Sequence, residues 1–263
     1  MSNPIKQERR GGLLELTIDR PPANAFDGPT SRALGEALVA YQNDDGLRCA
    51  IITGGGSKFF SGGWDLKAAA EVGGDESKID YGPGGFAGIT ELWSLTKPVI
   101  AALNGMTIGG GWEVALACDM VVAADHVRFW LPEVQRGIIA DGGAVQRLPR
   151  LLPSTIAMEI LLTCRWVEVK EMHHYGLVNA VVPPDRLMDT ARELAAPIVK
   201  AAPLAVRATK ALWHGTSHLS VREAYAAMRR GDIPEYTRMR QSEDYMEGPR
   251  AFAEKREPVF KGR

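Results

Sequence analysis

Two glutamates stand out because each one begins a structural element beside apolar sequence. Glu113 lies in the stretch "NGMTIGGGWEVALACDM", residues 104–120, where it follows three glycines and opens an apolar run. Glu133 follows "FWLP", in which Pro132 ends a predicted strand. A pair of carboxyl groups can catalyse the addition of water to a double bond, or the removal of water to form one. One group accepts a proton while the other donates a proton. The alternative is an ordinary helix-start glutamate and an exposed turn glutamate.

The glycines before Glu113 support a catalytic role for the two glutamates. Ordering a run of three glycines costs backbone entropy, so the run implies a tight turn or a close approach to the backbone. A helix is predicted to start at about Gly110, and its N-terminal dipole favours the carboxylate in its first turn. Alanine at Gly110 would keep the backbone N–H and add only a methyl group, whereas proline would remove the N–H.

Other catalytic arrangements have weaker support in the sequence. The glycines at 54–56 follow a strand, but neither GxGxxG nor GxxxxGK[ST] is present, so a plain turn is predicted. Ser57 and Ser61 do not stand in a GxSxG motif, which argues against a hydrolase triad. His173 and His174 are adjacent, which does not match metal-ligand spacing on a helix, and the other three histidines lie in polar surroundings. No metal site is predicted.

Composition narrows the classes of protein. The 263 residues are 45% hydrophobic and 24% charged, as expected for a globular chain, and 31 basic residues against 32 acidic ones leave a net charge of -1. This balance provides no general attraction to nucleic acid or to anionic membranes. Cys49, Cys118 and Cys164 are too far apart for a CxxC motif. Without a signal-peptide core or a run of about 18 apolar residues, we expect a cytoplasmic location.

The elements that must position the two glutamates alternate between strands and helices. "GLLELTIDRP" predicts a strand ended by Pro21 and Pro22, and Ser31 is a candidate cap for the helix that follows. Residues 73–88 contain six glycines and predict a long mobile loop. Helices dominate from Ser154 onward. Further short strands are predicted in "CAIITGGG", "KPVIAALNG", "DMVVAA", "VRFWLP" and "VNAVVP". The pattern predicts an α/β core with a helical C-terminal lobe.

Three motifs in this order, "SGGWDL", "NGMTIGGGWEVALACDM" and "FWLPEVQRGIIADGGAVQRLPRLL", resemble those of the enoyl-CoA hydratase/isomerase (crotonase) superfamily over nearly the whole chain. The resemblance implies a crotonase-like spiral of ββα units with a helical C-terminal trimerisation lobe. Residues 1–200 would form the core with the acyl-CoA site, and residues 201–263 would form the lobe. Homotrimers or dimers of trimers are expected.

The resemblance also assigns roles to individual residues. The backbone N–H groups of Trp64 and Gly110 would hold the thioester oxygen as an oxyanion hole. Glu113 would activate the water that adds to Cβ, and Glu133 would protonate Cα, with the roles reversed in dehydration. Asp141, in "IIADGG", departs from the common pattern of a small residue. This third acid leaves isomerase chemistry open and could also meet a cationic substrate group.

Coenzyme A would be bound as part of the substrate, with no other cofactor. The backbone around Asp65, Leu66 and Lys67 would contact the adenine side. Lys255, in "FAEKRE", would meet a CoA phosphate across a subunit boundary, and a solvated helix face would also explain the charges of this stretch.

The stretches "FFSGGWDLKAAAE", "YGPGGFAG", "SEDYMEGPRAFAEKR" and "KGR" resemble a subgroup of hydratases whose acyl group carries a trimethylammonium. Tyr81 and Phe86, in the glycine-rich loop, are candidate acyl-group contacts because aromatic faces attract such a cation. Hydration or isomerisation of another acyl-CoA is the nearer alternative. A non-catalytic CoA-binding or RNA-binding homologue is a further alternative, and the presence of both glutamates and both glycine turns argues against it.

Overall fold

The computed structural model describes residues 3–71, 73 and 79–263 of the chain. Two sheets and the helices around them make up this part of the molecule. The strands are β1 (Ile5–Arg10), β2 (Leu13–Ile18), β3 (Cys49–Gly54), β4 (Phe59–Ser61), β5 (Val99–Leu103), β6 (Met106–Ile108), β7 (Met120–Ala124), β8 (Arg128–Trp130), β9 (Val167–Glu168) and β10 (Ala180–Val182).

The α-helices of the described residues follow the strands in the α/β order that the sequence predicted. They are α1 (Gly28–Asn43), α2 (Leu66–Glu71), α3 (Gly110–Ala117), α4 (Ala144–Leu151), α5 (Ser154–Thr163), α6 (Val169–His174), α7 (Leu187–Lys200), α8 (Pro203–Thr216), α9 (Val221–Arg230), α10 (Pro234–Arg240) and α11 (Asp244–Glu254). Short 3₁₀ helices cover Phe86–Gly88, Glu133–Arg136 and Pro184–Arg186.

The larger sheet has six strands in the order β1-β2-β3-β5-β7-β10. The β1–β2 pair is antiparallel, and all the other pairs are parallel. Because side chains alternate between the faces of a strand, β3 contributes to two apolar clusters. Ala50 and Ile52 face one cluster, which α1, α3 and α4 also line. Cys49 and Ile51 face the other, which α7 covers. The sheet is therefore covered on both faces.

The smaller sheet, in the order β4-β6-β8-β9, carries the segments of interest. Its strands have two or three residues each, and β8 pairs with β9 antiparallel while the other pairs are parallel. The chain leaves β4 at Ser61, β6 at Ile108 and β8 at Trp130. The residues that follow these three strands are Gly62–Asp65, Gly109–Glu113 and Leu131–Glu133, which include the predicted catalytic positions.

One helix boundary differs from the sequence prediction. Helix α1 begins at Gly28, three residues before Ser31, and its N-cap is Asp27, whose side chain accepts a hydrogen bond from the Thr30 N–H at 2.8 Å. The Ser31 hydroxyl instead accepts a hydrogen bond from the Ala87 N–H, at 3.1 Å. Ser31 was a wrong choice for the cap because an equally good cap residue stood just upstream.

Strands β1, β4, β6 and β9 were not predicted. In β1 only Ile5 is buried, so the strand shows no alternation of apolar and polar residues. Strand β6 has three residues and merges into the glycine turn. Helix α7 ends at Lys200, and the division into a core over 1–200 and a lobe over 201–263 stays a prediction. Among the described helices, none is both long and apolar enough to cross a membrane.

Candidate active site

The turns after β4 and β6 approach each other at two glycines. Gly63 adopts a φ of +84°, and a Cβ on it would lie 2.7 Å from the backbone nitrogen of Gly110. The Phe26 N–H donates to the Gly63 oxygen at 2.8 Å, and the Asp65 N–H donates to the Phe26 oxygen at 2.9 Å. Trp64, between them, takes no part in these bonds, and its side chain is half-buried. Within the described residues, the N–H groups of Trp64 and Gly110 donate to no acceptor.

Side-chain and backbone hydrogen bonds hold both turns in place. The buried Ser61 hydroxyl donates to the Asn24 oxygen at 2.7 Å and accepts from the Gly63 N–H at 3.0 Å. The Ser61 hydroxyl is thus occupied in shaping the turn. In the second turn, Gly109 has a φ of +52°, and its N–H donates to the Trp130 oxygen at 2.8 Å.

Glu113 is buried in the first turn of α3, with 4% of its surface exposed. Its Oε1 accepts a hydrogen bond from the Ala144 N–H at 3.0 Å. Burial raises the pKa of Glu113 to about 7, and the negative charges of Glu133 and Asp141 add to the rise, while the Ala144 N–H and Arg147 oppose it. A carboxyl group with a pKa of about 7 is suited to exchanging protons near neutral pH.

Glu133 is the first residue of a 3₁₀ helix and is half-buried. Its Oε1 lies 2.7 Å from the position that a Cβ on Gly109 would occupy. Its Oε2 is buried and has no hydrogen-bond partner among the described residues. Burial raises the pKa of Glu133 above its usual range, and the charge of Asp141 adds to the rise, while its own backbone N–H and Arg136 oppose it. Both glutamates therefore have raised pKa values, and both adjoin the helix start after the glycine turn.

Phe86 lies against the backbone of Gly110 and Gly142. Its ring atoms Cε1 and Cζ lie 2.4 Å from the position of a Cβ on Gly110, and Cδ1 lies 3.0 Å from that of a Cβ on Gly142. The same Cβ on Gly142 would lie 2.4 Å from Oε2 of Glu113. Alanine at Gly110 is therefore not the small change that the sequence suggested. Sequence reasoning also missed Gly142, whose only signal was its place beside Asp141 before a helix start.

Phe86 belongs to a cluster of three aromatic rings. Its ring meets that of Tyr81 edge to face at 5.7 Å between centroids, and that of Phe26 at 5.9 Å. The bond from the Ala87 N–H to the Ser31 hydroxyl fastens the same segment to α1. Residues 79–88 of the predicted loop thus pack against the fold, whereas residues 74–78 lie outside the described part.

Asp141 is exposed, and its charge acts on both glutamates. It lines a cavity of about 510 Å³ together with Gly142, the exposed Trp93 and Arg147. Gly142 lines this cavity, and the carboxyl group of Glu113 lies close to the same glycine. Asp141 is therefore near the two glutamates.

The three residues predicted to face coenzyme A follow the first turn directly. Oδ1 of Asp65 accepts from the backbone N–H groups of Lys67 at 3.0 Å and Ala68 at 3.3 Å, which caps helix α2. Burial acts to raise the pKa of Asp65, but the Arg20 guanidinium, 2.6 Å away, and these two N–H groups hold it below its usual range. Leu66 and Lys67 are exposed.

Lys255 is the C-terminal cap residue of α11, with a φ of +55° and an exposed side chain. Its predicted contact across a subunit boundary stays a prediction.

Known proteins share this fold over their whole length. The sequence profile of the enoyl-CoA hydratase/isomerase family matches residues 8–263. A crystal structure of enoyl-CoA hydratase from Mycobacterium tuberculosis H37Rv superposes with a TM-score of 0.89 at 39% identity, covering 100% of both chains. A crystal structure of enoyl-CoA hydratase from Bacillus anthracis gives a TM-score of 0.87 at 31% identity, covering 99% of this chain and 100% of that one. The chain belongs to the enoyl-CoA hydratase/isomerase family, which confirms the resemblance and the α/β crotonase fold.

A finer likeness lies within that family. Carnitinyl-CoA dehydratase from Salmonella agona is 52% identical to this chain over 263 residues, which is 100% of both proteins. Carnitinyl-CoA dehydratase from Citrobacter koseri has the same identity and the same coverage.

Proposed function

We propose that this protein is a hydro-lyase that reversibly removes water from L-carnitinyl-CoA to form crotonobetainyl-CoA. The observation that carries the proposal is the placement of Glu113 and Glu133 around the Gly109–Gly110 turn, beside two backbone N–H groups that donate to no other group in the described residues. The full-length identity of 52% to carnitinyl-CoA dehydratases supports the choice of acyl group.

In the proposed dehydration, the thioester oxygen accepts hydrogen bonds from the N–H groups of Trp64 and Gly110. Glu133 removes the proton on Cα, and the electron pair of that C–H bond forms an enolate whose negative oxygen these N–H groups stabilise. Glu113 then protonates the hydroxyl group on Cβ as the C–O bond breaks, so that the enolate electrons form the Cα–Cβ double bond and water leaves. A preorganised donor of this kind contributes roughly 3–4 kcal/mol in other enzymes.

Hydration runs the same steps in reverse. Glu113 in its ionised form takes a proton from water as the oxygen attacks Cβ, and Glu133 in its protonated form delivers a proton to Cα. The mutual repulsion of Glu113 and Glu133 favours a state in which one of them is protonated and the other ionised. Dehydration starts with Glu113 protonated and Glu133 ionised. Hydration starts with Glu133 protonated and Glu113 ionised.

The family implies an acyl-CoA thioester as substrate. We further propose that Asp65, Leu66 and Lys67 face the CoA moiety, that Lys255 meets a CoA phosphate of a neighbouring subunit in a homotrimer or a dimer of trimers, and that Phe86, Tyr81 and Asp141 line the acyl pocket. The second candidate function is hydration or isomerisation of another enoyl-CoA. Asp141 favours it, because a third acid near Glu113 and Glu133 could also shuttle a proton.

The test is a panel of enoyl-CoA thioesters that includes crotonobetainyl-CoA and crotonyl-CoA, followed by loss of the enoyl-thioester absorbance. Glu113→Gln and Glu133→Gln should each lower turnover by roughly 10²–10⁴-fold, because each removes a proton-transfer group and keeps the size of the side chain. The double variant should lose less than the product of the two factors, because both groups serve one reaction.

Glu168→Gln is a matched control, since Glu168 is an exposed glutamate paired with Arg128 on the surface. Thioester binding, measured by calorimetry, should persist in all of these variants. Wild-type turnover by Glu133→Gln on the preferred substrate would contradict the two-acid mechanism. A salt-dependent gel shift with RNA, together with no turnover of any thioester, would favour a non-catalytic homologue.

A further inference from the structure

Two tryptophans stack across the smaller sheet close to Glu133. The antiparallel register pairs Phe129 with Val167 and Arg128 with Glu168, so Trp130 stands directly opposite Trp166. The two indole rings are 4.8 Å apart between centroids and only 18° from parallel. Directly opposed aromatic side chains of this kind hold the pairing of antiparallel strands.

A guanidinium group completes the arrangement on the side of the proposed acid. The Arg136 guanidinium carbon lies 5.5 Å from the centroid of a Trp130 ring, within the range of a cation–π contact. We call Trp166, Trp130 and Arg136 the indole stack. The Arg128 guanidinium carbon lies 4.7 Å from the centroid of a Trp166 ring. Arg128 belongs to β8 rather than to the segment that carries Glu133.

The indole stack is attached to both halves of the candidate site. The Trp130 oxygen accepts the Gly109 N–H at 2.8 Å, and the Trp130 Nε1–H donates to the Cys164 oxygen at 2.8 Å. Glu133 lies three residues after Trp130, beyond the buried Leu131 and Pro132, and three residues before Arg136. The backbone of Glu133 is therefore held from both directions by members of the stack.

The carboxyl group of Glu133 depends on this support for its direction. Its Oε2 has no hydrogen-bond partner among the described residues, so the side chain is aimed mainly by the backbone that carries it. We propose that the indole stack positions Glu133 against the glycine turn, which makes Trp166 and Arg136 positioning residues for the reaction although neither touches the reacting atoms. This inference rests on the proposed function.

Charge adds a second effect at Arg136. The Arg136 guanidinium lowers the pKa of Glu133, whereas burial and the Asp141 charge raise it. The charge of Glu133 in turn raises the pKa of Glu113. Removing the charge of Arg136 should therefore raise the pKa of Glu133. In hydration Glu133 must be protonated, so the fall of activity at high pH should move to higher pH.

The experiment compares five variants in the hydration of crotonobetainyl-CoA, or of crotonyl-CoA if that is turned over faster. Trp166→Ala should lower kcat roughly 10- to 100-fold with a much smaller change in KM, because misplacement by about 1 Å can cost a hundredfold in rate. Trp166→Phe retains a stacking ring and should recover most of the activity. Arg136→Gln should move the high-pH limb of the kcat/KM profile to higher pH. Arg136→Lys keeps the positive charge and should return this limb to its wild-type position.

Arg230→Gln is the matched control, because it removes the same charge from an exposed residue of α9 that pairs with Asp232, and it should leave the pH profile and kcat near those of the wild type. Circular dichroism and thermal unfolding verify that each variant is folded. Wild-type kcat in folded Trp166→Ala, or equal pH shifts in Arg230→Gln and Arg136→Gln, would overturn the inference. Absence of thioester turnover by the wild type would instead refute the proposed function before any variant is compared.

Discussion

Substitution of Gly110 by alanine should conflict with the ring of Phe86. An added Cβ would lie 2.4 Å from both Cε1 and Cζ of that ring, whereas carbon atoms in contact lie about 3.5–4.0 Å apart. The ring would have to withdraw by about 1 Å. The rings of Tyr81 and Phe26 leave little room for this, since their centroids lie only 5.7 and 5.9 Å from that of Phe86.

Overpacking of this kind typically costs about 1–3 kcal/mol in stability. A displacement of about 1 Å beside the reacting atoms can also lower the rate roughly 10²-fold. We therefore expect Gly110→Ala to lower both the free energy of unfolding and kcat/KM by these amounts. In a Phe86→Ala background, Gly110→Ala should cost much less of both quantities, because the ring atoms that the new methyl group meets are gone.

The assay is a double-mutant cycle read by urea unfolding and by hydration of crotonyl-CoA. Gly248→Ala is the control, since a Cβ on Gly248 in α11 would meet no atom within 4 Å. Gly110→Pro lacks the N–H and should lose roughly 3 kcal/mol of transition-state stabilisation. Proline also places a Cβ against the Phe86 ring, so Phe86→Ala should recover part of its stability but not this loss of rate. Strictly additive losses for Gly110→Ala and Phe86→Ala, or recovery of kcat/KM by the proline variant in the Phe86→Ala background, would refute the reasoning.

Three further predictions concern stability and selectivity. Burial raises the pKa of Glu113 from 4.5 to about 7, so its contribution to stability is full below about pH 4.5 and is lost as pH rises through about 7. Glu113→Gln should therefore match the wild type near pH 4 in urea unfolding and exceed it by up to about 3 kcal/mol at pH 8; the reverse order would contradict the burial argument. Phe86→Ala or Tyr81→Ala should lower kcat/KM for crotonobetainyl-CoA more than for crotonyl-CoA, by roughly 0.5–2 kcal/mol, and equal losses would mean that the rings only shield the site. Asp27→Ala should cost about 1 kcal/mol in thermal unfolding because the Thr30 N–H loses its acceptor, and an unchanged Tm would exclude this role for the cap.

Much of the site was predictable because its signals are local. A glycine run before a helix start indicates a tight turn, and a glutamate in the first helical turn follows from the sequence alone. The order of the three motifs identified the family, and with it the spiral fold. The alternation of apolar residues in β2 predicted a half-buried strand, and the structure has that strand at Leu13–Ile18.

Other features were decided by tertiary structure, since they depend on residues far apart in the chain. The conflict between Phe86 and a methyl group on Gly110 exists because the aromatic segment folds back over the turn after β6. The raised pKa of Glu113 results from burial and from two further acids that the fold brings near.

The indole stack shows most clearly which features the sequence alone does not determine. The sequence by itself determined that "RFW" forms a short strand, and the structure has that strand at Arg128–Trp130. That Trp130 stands opposite Trp166 was decided by the antiparallel register of β8 and β9. A shift of one residue would turn the side chains of a strand to the other face, and a strand's own sequence does not specify its partner or its register.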